Sequence, residues 1–199
     1  DIQIRTDPDF DGVIVDTFEM SFLIQQSLFP GLIPEEFRSY FDGNLYDHPR
    51  ITKEVSRQFF DLYAKRLPDI PLSRTVRLVL GSLKDRYSLS IITSNSEKIL
   101  RNYFIKQGIP QLFDPILGLE SHATKVEKFS LLMKRFHLSQ SDCLFITDTL
   151  GDILEAHKAG ILAIAIDSGF HERMRLEQGK PFIIISSLDE LPKVLMTIP

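Results

Sequence analysis

The chain has 199 residues, 43% of them hydrophobic, enough to bury one good core with room for a small second module. Its net charge of −4, from 27 acidic and 23 basic residues, offers no global field to a polyanion and argues against a nucleic-acid partner. The single cysteine, Cys143, excludes an intrachain disulfide framework and a cysteine-based zinc cluster, and fits a reducing compartment.

The first element in chain order is a weak strand. Arg5-Thr6-Asp7-Pro8 combines a residue that lacks a ladder donor with two charges that are costly in a buried strand. The first strand is therefore expected to be short, irregular or displaced to Ile2 to Ile4. The run Asp9-Phe10-Asp11-Gly12-Val13-Ile14-Val15-Asp16-Thr17 then sets two carboxylates two residues apart beside a glycine that admits a ligand close to the backbone. Such a pair can divide the work of nucleophile and acid. Taken alone, Asp11-Gly12 flanked by Val13, Ile14 and Val15 reads as a hairpin turn.

Residues 18 to about 74 are aromatic-rich, broken by Pro30, Pro34, Pro49, Pro68 and Pro71, and carry helical spacing such as Val55, Phe59, Leu62 and Tyr63. They contain no good strand and read as a small helical insertion, 18–74, in a larger unit formed by 1–17 and 75–199. Phe18, Phe22, Phe29, Phe37, Phe41, Phe59 and Phe60 are expected to form its core, with some of them free to face a substrate. Asp42-Gly43-Asn44 reads as a turn that could also reach one.

From residue 75 onward, apolar runs alternate with amphipathic helical stretches. The strand candidates are Ser88 to Thr93, Cys143 to Thr147, Leu162 to Ile166 and Phe182 to Ile185; the helices are Glu97 to Gln107, Val126 to Phe136, Asp152 to Ala159 and Asp189 to Met196. That alternation predicts a doubly wound parallel α/β sheet. With no targeting pattern at Asp1 and no apolar run long enough to span a bilayer, a cytoplasmic protein without a membrane partner is expected.

In such a sheet, ligands bind beyond the carboxyl ends of the strands, and four motifs fall there. They are Asp9 to Val13, Ile91-Ile92-Thr93-Ser94-Asn95, Lys125 at a helix start, and Phe145 to Asp152. Singly, Thr93-Ser94-Asn95 could cap the next helix, Asp152 could be a helix-start acid, and Lys125 could be solvated, with Lys128 competing one turn on. The histidines, His48, His122, His137, His157 and His171, have no metal-ligand spacing and read as surface or packing residues. Cys143 opens a buried strand and reads as core. The joint order and placement of the four motifs favour a phosphoryl-transfer site.

These motifs resemble those of the haloacid dehalogenase superfamily, in its phosphatase-like branch with a helical cap after the first motif. The resemblance spans nearly the whole chain: Asp-x-Asp-Gly at Asp9 to Gly12, a Thr after an apolar strand at Thr93, a lysine at Lys125, and paired aspartates at Asp148 and Asp152. It implies that Asp9 attacks phosphorus to form an aspartyl-phosphate that water hydrolyses, with Asp11 as general acid and base. Thr93, Ser94, Asn95, Gly12 and Lys125 would hold the phosphoryl group. It implies Mg2+ held by Asp9, the Asp11 carbonyl and Asp148, with Asp152 as ligand or support. The implied substrate is a small phosphorylated metabolite, phosphoglycolate-like or a sugar phosphate, and the implied assembly a monomer or homodimer. A phosphomutase and an inactive phosphate-binding protein are the rival readings. A signalling receiver is disfavoured because an acidic motif follows Lys125, and a dehalogenase because that branch has no use for an acid at Asp11. Thr147, where the family usually has glycine, is a departure expected to be tolerated because its side chain alternates away from Asp148.

Overall fold

The computed structural model describes residues 5–198. In chain order the elements are β1 (Arg5–Pro8), α1 (Phe18–Leu28), α2 (Pro34–Ser39), α3 (Lys53–Arg66), α4 (Arg74–Lys84), β2 (Ser88–Leu89), β3 (Ile91–Ile92) and α5 (Glu97–Lys106). There follow β4 (Ile116–Leu117), α6 (Lys125–Phe136), β5 (Cys143–Thr147), α7 (Leu150–Ala159), β6 (Leu162–Ile166), α8 (Arg173–Glu177), β7 (Ile183–Ile185) and α9 (Leu191–Leu195). The main sheet is parallel throughout, in the order β2-β1-β5-β6-β7. No helix among the described residues is long and apolar enough to cross a membrane.

The sheet is covered on both faces because its central strands are apolar on both. Leu144, Ile146, Ile164 and Ile166 enter one cluster with Leu80, Leu100 and Phe104, while Cys143, Phe145, Ala163 and Ala165 enter another with Phe129, Leu132 and Ile153. Successive residues of a strand point to opposite faces, so β5 and β6 each supply both layers. That is the doubly wound α/β architecture expected from the sequence.

The weak opening segment is the strand next to β5, in register from Arg5↔Cys143 to Pro8↔Ile146. It is short, as expected, and it lies at Arg5–Pro8; Ile2 to Ile4 fall outside the described residues. Its composition is tolerated for local reasons. The Arg5 guanidinium donates to the Ser90 hydroxyl at 2.7 Å and the Asp114 carbonyl at 2.6 Å, and lies over the Phe136 ring. The Asp9 amide donates to the Ile146 carbonyl on the β5 side at 2.9 Å, so the donor Pro8 lacks would face the other neighbour, where pairing with β2 stops at Thr6↔Leu89. Asp7 is fully buried with neither oxygen hydrogen-bonded, and burial pushes its carboxyl up to about 7, so it can sit there neutral near pH 7.

The single strand expected over Ser88 to Thr93 is divided at Ser90. Its first half pairs with β1 and its second, β3, pairs with β4, whose two residues are too few to show a period in sequence. Between β1 and α4 the chain holds α1, α2 and α3 with no strand. Leu32, Phe37 and Tyr40 make a third apolar cluster there, joined by Phe170 from the loop after β6.

Candidate active site

The loop after β1 is a tight turn rather than a hairpin. The amides of Val13, Ile14 and Val15 all converge on the Phe10 carbonyl, and Asp11 and Val15 form one isolated bridge. Gly12 has φ +73, and a Cβ there would collide with the Asp148 carboxylate; this is where glycine is required. Asp9 is buried at the strand end, its Oδ1 accepting from the Phe10 amide at 2.6 Å and its Oδ2 from Lys125 Nζ at 2.7 Å. Burial pushes the Asp9 carboxyl up to about 7 against the opposing pull of Lys125.

Lys125 is the first residue of α6, whose N-cap Thr124 accepts from the Glu127 amide. Its ammonium bridges Asp9 and Asp152. Burial opposes its charge, yet the two carboxylates outweigh that and push its pKa up. Asp152 is held below the usual carboxylate range: burial works against it, but Lys125 and hydrogen bonds including the Thr147 hydroxyl at 2.9 Å prevail. Thr147 is therefore a prop for Asp152, not an obstruction. Asp148, just beyond β5, accepts from the Phe170 amide at 2.6 Å, and burial beside other carboxylates raises its carboxyl well above the ordinary value.

Thr93 follows β3, and the Thr93-Ser94-Asn95 turn precedes the helix cap, which is Ser96. The Asn95 side-chain amide donates to Asp11 Oδ2 at 2.9 Å. Lys128 is buried on the same side of α6, but its ammonium meets the Thr93 carbonyl at 2.5 Å, so it supports the turn while Lys125 reaches the carboxylates.

The helices between β1 and α4 close over these groups. Tyr63 on α3 donates to Asp11 Oδ1 at 2.5 Å, joined by the Thr17 hydroxyl at 2.6 Å. Burial, then the charge of Asp11, raises the Tyr63 phenol well above its usual value, so it remains a donor. Tyr46 donates to the Ser94 carbonyl, and Asn44 donates to Glu155 at 3.1 Å, which in turn accepts from the Lys125 amide at 3.2 Å. The Phe41 carbonyl accepts from the Gly151 amide at 2.8 Å. Asp9, Asp11, Thr93, Ser94, Asn95, Lys125, Asp148 and Asp152 all line one cavity of about 90 Å³ beneath these helices. Gly12 lies at its edge against Asp148.

Sequence reasoning missed several contributors. Phe170 follows Gly169, where any Cβ would collide with Asp148, and no motif marked that loop. His171 is fully buried: its Nδ1 accepts from the Leu150 amide at 2.9 Å and its Nε2 faces the Arg38 carbonyl at 2.9 Å, clamping α7 to α2. Tyr63 carried only a helical-spacing signal, and Gln25, a further cavity residue on α1, carried none.

A magnesium ion fits the chemistry of this donor set. The Lys125 ammonium pairs with Asp9 and Asp152, the buried Asp148 carboxylate has no ion pair among the described residues, and all these donors are hard oxygens of the kind magnesium prefers. Among the described residues no three ligating side chains form a ready-made cluster, because Asp152 is turned to Lys125 and Asp11 to Tyr63, Thr17 and Asn95. With Asp152 turned to Lys125, the carboxylates of Asp9 and Asp148 remain to face an ion, a number magnesium accepts when water and phosphate complete its shell.

The family description for haloacid dehalogenase-like hydrolases matches residues 9–166. The chain belongs to this family. It is a hydrolase of that family by descent and fold. Among curated relatives, a phosphoglycolate phosphatase of Synechococcus elongatus is 24% identical over 200 residues, covering 92% of each chain. One from Pasteurella multocida is 28% identical over 148 residues, or 72% of this chain and 66% of that one. A predicted phosphatase from Clostridium acetobutylicum superposes with a TM-score of 0.81 at 20% identity, over 98% of this chain and 99% of that one, a likeness of fold.

Proposed function

We propose that the chain is a magnesium-dependent phosphatase of small phosphorylated metabolites, working through an aspartyl-phosphate on Asp9, with residues 18–74 as its cap. The observation that carries this reading is the Lys125 ammonium bridging Asp9, just beyond β1, and Asp152, in one cavity with Thr93 and Asp148. Asp9 attacks phosphorus in line, and its Oδ forms the new P–O bond as the ester oxygen leaves. Asp11 gives that oxygen a proton, and later takes one from the water that cleaves the acyl-phosphate. Thr93, the amides of Ser94 and Asn95, and Lys125 hold the phosphoryl oxygens, near the N-terminal end of α5. Bound at Asp9, Asp148 and the Asp11 carbonyl, magnesium would offset charge between anionic nucleophile and anionic substrate.

The relatives' activity makes phosphoglycolate the first ester to assay. A phosphomutase gains no support, since retaining a bisphosphate needs a second cationic site, and Lys125 is the one basic side chain lining the cavity among the described residues. The deciding measurement is phosphate release from a panel of monoesters with and without magnesium, by wild type and Asp9→Asn. We expect release that stops with chelator and falls by at least about 10³-fold in the variant. Undiminished turnover in Asp9→Asn rejects the nucleophile. An inactive wild type that still binds a phosphate mimic makes the chain a binding protein.

A further inference from the structure

We propose that Glu155 is a positioning residue that couples the 41–46 loop to Lys125. One of its carboxylate oxygens is shared between Asn44 of that loop and the backbone amide of Lys125, so the ammonium that bridges Asp9 and Asp152 is held in place while the loop is seated. This rests on the phosphatase reading, to which it adds a residue outside the four motifs.

The first amides of a helix have no partner within it. In α6 the Thr124 hydroxyl accepts from the Glu127 amide, and the Lys125 amide is met from another helix, by Glu155 Oε1 of α7 at 3.2 Å. Glu155 is buried, and the positive end of the α6 dipole favours a carboxylate at this point. On α7, Glu155 lies three residues after Asp152 and so on the same face. Asp152 takes the Lys125 ammonium. One face of α7 therefore holds Lys125 at both ends, the backbone through Glu155 and the charge through Asp152.

The loop docks on that same oxygen. Asn44 Nδ2 donates to Glu155 Oε1 at 3.1 Å and to the Ala123 carbonyl at 3.2 Å, using both N–H groups of one amide, while Asn44 Oδ1 accepts from the Tyr46 amide at 2.8 Å. The loop also meets α7 where the Gly151 amide donates to the Phe41 carbonyl, and the Thr93 turn where Tyr46 donates to the Ser94 carbonyl. Burial raises the Glu155 carboxyl above its ordinary value, against the Lys125 charge and these two hydrogen bonds, so each donor counts toward keeping it in place. If Asn44 withdraws, the buried oxygen loses a donor, the carboxylate turns to find another, and the Lys125 amide is left without its partner. Contacts that share one atom do not act independently.

Hydrogen exchange at the Lys125 amide, followed by NMR in the full chain, tests this without turnover. Asn44→Ser keeps an oxygen to cap the Tyr46 amide but is too short to reach Glu155. Glu155→Gln keeps Oε1, and Glu155→Ala removes it. We expect exchange at Lys125 to quicken at least about tenfold in Glu155→Ala and several-fold in Asn44→Ser, and to return to within about threefold of wild type in Glu155→Gln. Asn44→Ser, in a half-buried loop, decides the matter should Glu155→Ala fail to fold. Kinetics on a hydrolysed ester give a second readout: Asn44→Ser and Glu155→Ala each lower kcat about tenfold with little change in KM, and the double variant is no worse than the poorer single one. A wild-type exchange rate at Lys125 in Asn44→Ser, or kcat losses that multiply in the double variant, overturns the coupling. Glu155→Gln as impaired as Glu155→Ala overturns the shared oxygen. If the exchange pattern holds while no ester is hydrolysed, the coupling stands and the phosphatase chemistry falls; Asp9-dependent hydrolysis without that pattern gives the reverse.

Discussion

Lys125 and Lys128 lie one turn apart on α6, and the sequence alone leaves them as rivals, since identical side chains on one helix face carry identical local signals. What separates them is the strand end each one meets. Lys125 reaches two carboxylates, while Lys128 finds only the Thr93 carbonyl, and burial lowers its pKa from 10.5 to about 8. The sign follows from linkage. Between pH 8 and 10.5 the unfolded chain binds the proton that folded Lys128 has lost, so stability rises with pH across that window; below it the burial cost is present in full. Wild type should therefore gain on Lys128→Met by up to about 3 kcal/mol as pH rises from 8 to 10.5. Denaturant titrations at several pH values read this, and a constant difference between the proteins would refute it. Tyr63 is a second case that no motif signals, since its hydroxyl reaches Asp11 across 52 positions of sequence. Tyr63→Phe should lower kcat about tenfold with a much smaller change in KM, because the phenol orients the proton-transfer group; steady-state kinetics that show only a KM effect would assign Tyr63 to binding.

At the scale of elements, β5, β6, α5, α6 and α7 were legible, while the eleven-residue α4 and the two-residue strands β2, β3 and β4 were not. β5 and β6 announced themselves as apolar runs and α5 and α6 as amphipathic stretches, but the caps Ser96 and Thr124 were not marked, Thr93-Ser94-Asn95 being the cap candidate for α5. β1 was nearly illegible, since its Arg, Asp and Pro are each accommodated by partners remote in sequence: Ser90, Asp114 and the end of β2. The seam between α7 and the 41–44 loop is also a tertiary feature. A Cβ on Gly151 would collide with the carbonyl of Gly43, and the Gly151 amide holds the Phe41 carbonyl. Gly151→Ala should push this loop off α7 and raise KM several-fold, at a stability cost of about 1–3 kcal/mol. Steady-state kinetics beside thermal melts check this, and unchanged KM would show that the loop does not shape the cavity.

Across the whole molecule, Phe170 connects the helices of residues 18–74 to the sheet that carries Asp148. Its ring packs edge-on against Phe18 at 5.2 Å and Phe41 at 5.0 Å, while its amide donates to Asp148. Phe170→Ala should destabilise the protein by about 3–5 kcal/mol and weaken phosphonate binding, because one ring is shared by both halves of the cavity. Full retention of binding in a destabilised variant would separate packing from the site. The sequence by itself determined the parallel α/β class, the helical character of residues 18–74 and the order of the four motifs, because apolar periodicity and strand-end motifs are local patterns. Only the tertiary structure decided that Asp152 partners Lys125 and that Asp11 is held by Tyr63 and Asn95. Those outcomes depend on which side chains meet across tens of residues, and on how few buried cations there are to share among the carboxylates.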